Sequence, residues 1–226
     1  MGQRPQSTRP VKDLSHPAFS ASDARRLSVF PTPLGWFALW GAATRVAGLL
    51  IGHVSADEVR ESARRRLAAE GTAAPLTEGD WFPALRRRLV EYADGRPQDF
   101  DDCEIDWPNL TPFQSRVVAA ARRVRYGSTA TYGELAEQAG YPGAARAAGS
   151  VMAANRVPII IPCHRIVAAG GGLGGFSAPR GISLKRQMLD IEAAAAPRDA
   201  GTCQAARQNA RQKRKKIFES LALTNS

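Results

Sequence analysis

The amino-acid sequence predicts an α+β protein of two domains: a small N-terminal sheet-plus-helix domain and a mainly helical C-terminal domain with a helix-turn-helix. Three observations lead to this prediction. Two apolar stretches of strand-like composition lie near the start of the chain, around residues 34–40 and 45–51. Helix-start signatures followed by apolar residues at helical spacing recur through the second half. Within that half, the run Ile159–Ile161 lies between two prolines and indicates a short buried segment.

The first domain is assigned to residues 27–106. Its two apolar stretches are joined by a Gly-Ala-Ala-Thr turn, so we expect a β-hairpin. The four residues that begin at Ser55 have the spacing of a capping box, which predicts a helix running toward Glu70. A second helix is expected to end at Gly95. Its apolar face would carry Leu85, Leu89 and Tyr92.

The second domain is assigned to residues 107–192, after an acidic and irregular stretch at 96–110 that is expected to be a linker. Thr111 is a suitable N-cap because Pro112 follows it, and proline is favoured at the first helical position. Apolar residues then recur at helical spacing until Gly127, where this helix is expected to end.

Two short helices follow. Thr131 begins another capping box and a helix over 132–139, and a Gly-Tyr-Pro-Gly turn separates it from a helix over 144–154 that is rich in Ala and Gly. Two short helices joined by a tight turn are typical of a helix-turn-helix. A glycine-rich loop at 170–175 and a last helix near 183–192 complete the domain.

The charge of the chain is unevenly distributed. The formal net charge is +10, and residues 107–192 hold ten Lys or Arg against four Asp or Glu. This asymmetry suits a polyanion such as nucleic acid, although a solvated basic surface is about as probable from composition alone. Residues 1–26 are expected to be a disordered tail, and 193–226 a basic flexible tail.

Composition also limits the class of protein. Three widely spaced cysteines argue against a disulfide framework, and the histidines form no zinc-ligand pattern with them, so no metal site is expected. No apolar run is long enough to span a bilayer, and no signal-peptide core is visible. We therefore expect a cytoplasmic protein with no membrane partner.

Cys163 is the candidate nucleophile. A lone cysteine after three isoleucines is more often a buried core thiol, but here His164 and Arg165 follow, and a reactive thiol needs a base or a positive charge nearby. If the segment is extended, adjacent side chains point to opposite faces, so His164 would reach the sulfur only through a water or after a bend at Pro162. Glu192 is a candidate partner for the histidine, although sequence alone favours a solvated carboxylate at a helix end.

The helix at 144–154 presents small side chains, which would let it enter a narrow groove or pack closely on another helix. Arg146 on this helix could contact phosphate or fill the gap left by an extruded base. Tyr132 could press on the DNA backbone, and the glycine-rich loop could form close walls around a flipped base. Each of these features could equally be an ordinary surface residue or a flexible loop.

From about Trp107 to Glu192 the chain resembles the O6-alkylguanine–DNA alkyltransferases, also called methylated-DNA–protein-cysteine methyltransferases. The resemblance is carried by a set of motifs that fall in the family's order and spacing. They are Thr111-Pro-Phe-Gln114, Tyr126-Gly127, Thr131-Tyr-Gly-Glu-Leu-Ala136, Ala144-Ala-Arg-Ala147, Asn155, Val157-Pro158, Ile159-Ile-Ile-Pro-Cys-His-Arg165 and Leu184-Lys-Arg-Gln-Met-Leu189. The match is weaker over 27–106, which is similar to the family's variable N-terminal domain, and it covers neither tail.

The resemblance implies the chemistry and the roles of the site residues. The protein would transfer an alkyl group from O6-alkylguanine in double-stranded DNA to its own Cys163, once per molecule, as a monomer and without a cofactor. The implied catalytic set is Cys163, His164, Glu192 and Asn155. The implied DNA-binding set, with a helix-turn-helix in the minor groove, is Tyr132, Gly133 and Arg146. The implied pocket for the flipped base is Val157, Pro158, Phe176 and Ser177, with the amide of Ser177 binding the departing oxygen.

The chain departs from the family at Phe176, where many members carry a tyrosine whose hydroxyl donates to the base; this leaves rate or substrate preference open. It also lacks the Cys/His metal site that some members have. Two other functions stay open: a module that flips damaged bases without any transfer, and a thiol hydrolase acting on small esters. Turnover separates the three, because the alkyl groups taken per molecule would be one, none or many.

Overall fold

The computed structural model describes residues 25–70, 76–107 and 109–195. The predicted N-terminal tail up to residue 24 and the basic tail from residue 196 lie outside the described residues. Arg25 and Arg26, placed in the tail by the sequence, belong to the first strand, and residues 193–195 belong to the last helix. No described helix is long and apolar enough to cross a membrane.

The N-terminal half is built on a five-stranded sheet. Its strands are β1 (Arg25–Thr32), β2 (Gly35–Ala42), β3 (Arg45–His53), β4 (Leu76–Glu78) and β5 (Glu104–Ile105), in the order β4-β1-β2-β3-β5. The predicted hairpin is β2 and β3, which pair antiparallel. Strand β1 pairs antiparallel with β2, while β4 and β5 pair parallel at the two edges. The sequence did not predict β1, β4 or β5, and β5 lies within the supposed linker.

Both faces of this sheet are covered. Helix α1 (Ala56–Ala69) packs on one face, where Trp40 of β2 meets Val59 and Ala63. On the other face, Phe37 and Leu39 join a core with helix α2 (Pro83–Ala93). A strand buried on both faces needs apolar residues at every position, and this explains the almost continuous apolar sequence of β2.

The predicted helix starts are confirmed, although at Ser55 the acidic side chain of the predicted capping box, Glu58, accepts from the N–H of Val54. The side chain of Ser55 accepts from the backbone N–H of Glu58 at the start of α1. Reciprocal capping boxes begin α3 (Pro112–Arg122) at Thr111 and α4 (Tyr132–Gln138) at Thr131. Helix α5 (Ala145–Ala153) follows the Gly-containing turn, and α4 and α5 both pack on α3, as a helix-turn-helix should. Helix α6 (Gly181–Ala195) is longer than predicted at both ends.

Two predictions about the second half are wrong in detail. Helix α3 ends at Arg122 and not at Gly127, because the N–H groups of Arg123 and Val124 close tighter turns onto the carbonyls three residues before them. The carbonyl of Val124 then accepts from the side chain of Arg165. The buried run Ile159–Ile161 does not continue into an extended segment. Cys163–Arg165 form one turn of 3₁₀ helix before the short strand β7 (Ile166–Val167), which pairs parallel with β6 (Ala130–Thr131).

One core cluster joins the two halves of the described chain. It extends from Phe37 and Leu49 of the sheet, through Leu89 and Tyr92 of α2, to Met188 of α6. The structure therefore bears out a mixed fold of a sheet and helices, whereas the division at residue 106 stays a prediction. What matters for function is that the sheet region packs directly on the elements that carry Cys163.

Candidate active site

A cavity of about 690 Å³ lies where β3, α4, α5 and the glycine-rich loop meet. Its lining includes most of the site residues that the sequence predicts: Tyr132, Gly133, Arg146, Asn155, Pro158, Cys163, Phe176 and Ser177. Val157 is fully buried, and its backbone N–H donates to Oδ1 of Asn155 (3.0 Å). His164 and Glu192 are also buried, and neither lines the cavity.

The thiol is held by a strained turn. The backbone N–H of Ile161 donates to the carbonyl of Val157 (2.9 Å), and Ile159 between them adopts a left-handed conformation with φ of 73°. For a β-branched residue that conformation is a genuine outlier, costing about 1–3 kcal/mol, and such strain is typical of functional sites. A 3₁₀ turn follows, so the chain bends after Pro162, which is one of the two arrangements that the sequence left open for His164 to reach the sulfur.

Behind Cys163, the side chains of His164 and Glu192 form a buried pair. Nε2 of His164 lies 2.7 Å from Oε1 of Glu192, and the two side chains are 0% and 1% exposed. Arg165 donates to both oxygens of the same carboxylate, at 3.0–3.1 Å. The backbone N–H of Gly127 also donates to Oε2 (3.0 Å). Glu192 is therefore not a solvated helix-end carboxylate but the centre of a buried network.

The network fixes the protonation states. Burial alone would raise the pKa of Glu192, but hydrogen bonds from His164 and Arg165 outweigh it and bring that pKa down to about 2. Burial lowers the pKa of His164 against the opposing influence of Glu192, so the imidazole is neutral at rest. A neutral imidazole that donates from Nε2 carries its lone pair on Nδ1. Nδ1 is buried and has no hydrogen-bond partner among the described residues.

The thiol is protonated at rest. Burial raises the pKa of Cys163, opposed by the amide of Asn155 and the positive charge of Lys185. Asn155 is itself fixed, because Nδ2 donates to the carbonyl of Ile161 (2.8 Å). The positive charge beside the sulfur therefore comes from Lys185, since the guanidinium of Arg165 is directed at Glu192 and the carbonyl of Val124. A base is needed to form the thiolate.

The glycine-rich loop forms a second wall of the cavity. Ser177 is anchored by its hydroxyl, which donates to the carbonyl of Ala153 (3.0 Å), and Phe176 packs against the core. Gly174 has φ of +69°, and a Cβ atom there would lie 2.9 Å from the hydroxyl oxygen of Tyr132. Only glycine allows this approach, which brings the loop and the start of α4 together.

The third wall is the small-residue face of α5. Ala145, Gly149 and Ala153 line the cavity, whereas Ala148 is fully buried in the core. Arg146 is exposed on the same helix and also lines the cavity. The predicted thin surface is therefore open on one side, so it is available to a ligand, and packed on the other.

Sequence reasoning missed three contributors to the site. Tyr92 of α2 donates to Oε1 of Glu192 (2.8 Å), the amide of Gly127 binds the same carboxylate, and Lys185 is buried with Nζ 5.9 Å from the ring of Tyr132. The sequence analysis had placed Tyr92 on an apolar helix face, Gly127 at a helix end and Lys185 within a family motif. Among the residues that the structure describes, no group of three or more His, Cys, Asp or Glu could hold a metal ion.

Comparison with known proteins identifies the family. Residues 112–194 match the model of the family described as 6-O-methylguanine DNA methyltransferase, DNA binding domain. A methylated-DNA–protein-cysteine methyltransferase of Mycobacterium bovis is 44% identical over 118 residues, covering 52% of this chain and 69% of the relative. A protein of the same name from Methanopyrus kandleri is 42% identical over 130 residues, covering 57% of this chain and 92% of the relative.

Solved structures agree with this assignment. OGT of Mycobacterium tuberculosis, solved in complex with DNA, superposes with a TM-score of 0.61 at 32% identity, covering 77% of this chain and 97% of that one. The O6-methylguanine-DNA methyltransferase of Pyrococcus kodakaraensis gives a TM-score of 0.58 at 25% identity, covering 74% and 98%. This chain belongs to the methylated-DNA–protein-cysteine methyltransferase family.

Proposed function

We propose that this protein repairs double-stranded DNA by transferring the alkyl group of O6-alkylguanine irreversibly to Sγ of Cys163. The observation that carries the proposal is that Cys163 lines a cavity while the residue beside it, His164, is paired with a buried carboxylate at 2.7 Å. A thiol that only fills space in the core needs no base and carboxylate paired beside it. The family to which the chain belongs is named for this reaction.

DNA would bind on the α5 side of the cavity. The small side chains of α5 suit the minor groove, which is only about 6 Å wide. Arg146 would contact phosphate or occupy the gap in the stack, and Tyr132 with Gly133 at the start of α4 would guide the backbone as the damaged nucleotide rotates out. Rotation costs a few kcal/mol and less for a poorly paired base, so damaged guanine is favoured.

The thiol would be activated through the buried pair of His164 and Glu192, which together form a proton relay. A water between Sγ of Cys163 and Nδ1 of His164 would carry the thiol proton to the imidazole, whose lone pair has no hydrogen-bond partner in the described part of the chain. Glu192, ionised because its pKa is about 2, stabilises the imidazolium that results. Asn155 holds the sulfur side of the site, because its amide favours the thiolate.

The transfer step balances without any cofactor. The thiolate attacks the alkyl carbon, the new S–C bond forms as the C–O6 bond breaks, and the electron pair passes to the purine. The purine takes up one proton and leaves as guanine, which balances the proton that the thiol loses. Pro158 and Phe176 would form the apolar walls beside the base, with Val157 supporting them, and the amide of Ser177 would stabilise charge on O6.

The thioether product is stable, so each molecule reacts once. We expect the protein to act on DNA in the cytoplasm. We also expect it to be a monomer, because all the proposed catalytic groups come from one chain. The competing functions differ in stoichiometry: a lesion-binding module takes no alkyl group, and a thiol hydrolase turns over many times.

Mass spectrometry of the intact protein tests the proposal. The full chain is incubated with a duplex that contains one O6-methylguanine, and with the matched undamaged duplex. We expect one added methyl group, mapped to the Cys163 peptide, only with the damaged duplex, and no addition in Cys163→Ala. Tight binding of the damaged duplex without a mass change would support the lesion-binding module instead. Repeated turnover of small esters would support the hydrolase.

A further inference from the structure

Tyr92 links the sheet region to the alkyl-transfer site. It lies on α2, its side chain is fully buried, and it is 72 positions away from His164 in sequence. Its hydroxyl donates to Oε1 of Glu192 at 2.8 Å, and the hydroxyl oxygen lies 3.0 Å from Nε2 of His164. One hydroxyl therefore contacts both members of the relay.

The direction of these bonds decides what the hydroxyl does. Because the Tyr92 proton points at the carboxylate, the oxygen's lone pairs are left for the Nε2–H of His164. The negative end of the O–H dipole thus faces the imidazole and its positive end faces Glu192. A dipole oriented in this way stabilises both charges of a carboxylate–imidazolium pair, and it does so more strongly in a buried site than in water.

The hydroxyl is also suited to stay a donor. Burial, followed by the charge of Glu192, raises the pKa of Tyr92 well above its ordinary value, so it is a neutral phenol at any pH at which the protein works. The other titratable or charged groups that act on Tyr92, His164 and Glu192 are Arg165 in the 3₁₀ turn, Lys185 of α6 and Tyr126. Tyr92 is the contribution of the sheet region.

We propose that Tyr92 is a positioning residue for alkyl transfer: its hydroxyl holds Glu192 and His164 in register and stabilises the imidazolium that forms when the Cys163 thiol is deprotonated. This inference rests on the proposed function. It implies that the sheet region completes the reactive centre and is more than a support for the DNA-binding region.

The test compares Tyr92→Phe with the wild-type protein in single-turnover alkyl transfer from an O6-methylguanine duplex across a range of pH. The phenylalanine keeps the ring packing and removes only the hydroxyl. We expect transfer about tenfold slower at neutral pH, as for one lost hydrogen bond to a charged group. The rising limb of the rate should also shift to lower pH, because losing a group that stabilises the imidazolium lowers the pKa of His164. Affinity for the duplex should not change.

Tyr126→Phe is the matched control. Tyr126 packs against Tyr92 with ring centroids 6.0 Å apart, but its hydroxyl donates to the carbonyl of Gly95 and not to the relay. A purely structural effect would lower the rate in both variants and leave the pH profile in place. A double variant with Glu192→Gln should be little slower than Glu192→Gln alone if Tyr92 acts through the carboxylate.

Two results would overturn the inference: a Tyr92→Phe rate and pH profile equal to wild type, or fully multiplicative losses in the double variant. Either would leave the proposed function intact, because the wild-type protein would still take up one methyl group. If wild type itself took up none, the proposed function would fail first.

Discussion

His164 and Glu192 are 28 positions apart in sequence, yet Nε2 of one side chain lies 2.7 Å from Oε1 of the other. Both side chains are buried in the interior and almost wholly inaccessible to solvent. The same carboxylate accepts from Arg165, Tyr92 and the amide of Gly127. Helix α6 thus delivers one ionised group that serves both the chemistry and the packing of the C-terminal half. Changing it should affect rate and stability together.

Glu192→Gln should destabilise the folded protein by about 3 kcal/mol or more, because it leaves the buried guanidinium of Arg165 without a countercharge. The matched control is Glu61→Gln on α1, where the same chemical change affects an exposed pair with Arg65 at 3.9 Å. That variant should lose less than about 1 kcal/mol. Urea unfolding at pH 7 measures both. Equal losses would mean that the Glu192 network adds nothing to stability.

The contribution of Glu192 should disappear in acid. The pKa of Glu192 is about 2 in the folded protein against an ordinary value of 4.5, so the carboxylate stabilises the folded state in full above pH 4.5. This stabilisation is lost as the pH falls toward 2. The difference corresponds to about 3 kcal/mol at pH 7 and to roughly half of that at pH 3.

The measurement is the stability gap between wild type and Glu192→Gln at several pH values. The gap should narrow from pH 7 to pH 3, and a constant gap would contradict a depressed pKa. His164 acts in the same direction in wild type, since its lowered pKa makes the folded state lose stability as the pH falls below 6.5. The comparison is therefore made in a His164→Asn background, because Glu192 itself raises the pKa of His164 and the effect of the imidazole would not cancel between the two proteins.

Local signals predicted local structure well. Thr111 and Thr131 begin their helices as expected, because an N-cap depends on side chains only three residues apart. Both helices have reciprocal capping boxes, although the sequence indicated one only at Thr131. Strands β1 and β5 were missed for the opposite reason. β1 is eight residues long, but it begins with two arginines and contains a proline, which weaken its strand signal. β5 has only two residues, so its pairing with the distant β3 defines it.

The site shows the same division. Cys163 could be found from its neighbours, and family resemblance supplied the partners on α4, α5 and α6. Tyr92 could not be found, because its sequence context predicts an ordinary apolar position on an amphipathic helix. The 3₁₀ turn at Cys163 was hidden as well, since its geometry depends on the left-handed Ile159 and on contacts with α6.

Gly174→Ala should slow alkyl transfer several-fold and cost about 1–2 kcal/mol in stability, the penalty for a left-handed non-glycine residue. The added methyl would lie 2.9 Å from the hydroxyl oxygen of Tyr132, so either the tyrosine or the loop must move. Gly172→Ala in the same loop is the control, because it does not line the cavity, a methyl there meets only Cβ of Ala168 at 3.6 Å, and the backbone is not left-handed. Thermal melting and single-turnover transfer would report both effects; indistinguishable variants would show that the contact does not matter.

Arg146→Ala should slow transfer from duplex DNA by about tenfold, since a contact to phosphate or to the vacated stack is lost. Transfer from free O6-alkylguanine base should stay at the wild-type rate, because the base needs no flipping. Arg87→Ala on α2 removes the same charge from an exposed position that does not line the cavity, and it should leave both reactions unchanged.

The salt dependence of duplex binding then separates the two roles open to Arg146. If the guanidinium binds a phosphate, the slope of log K against log salt should become shallower by about 0.9 in Arg146→Ala. If the guanidinium fills the place of the extruded base, transfer should slow but the slope of log K against log salt should equal that of wild type, because stacking releases no counterion. Equal loss of transfer from duplex and from free base would contradict both roles and place Arg146 in the reaction itself.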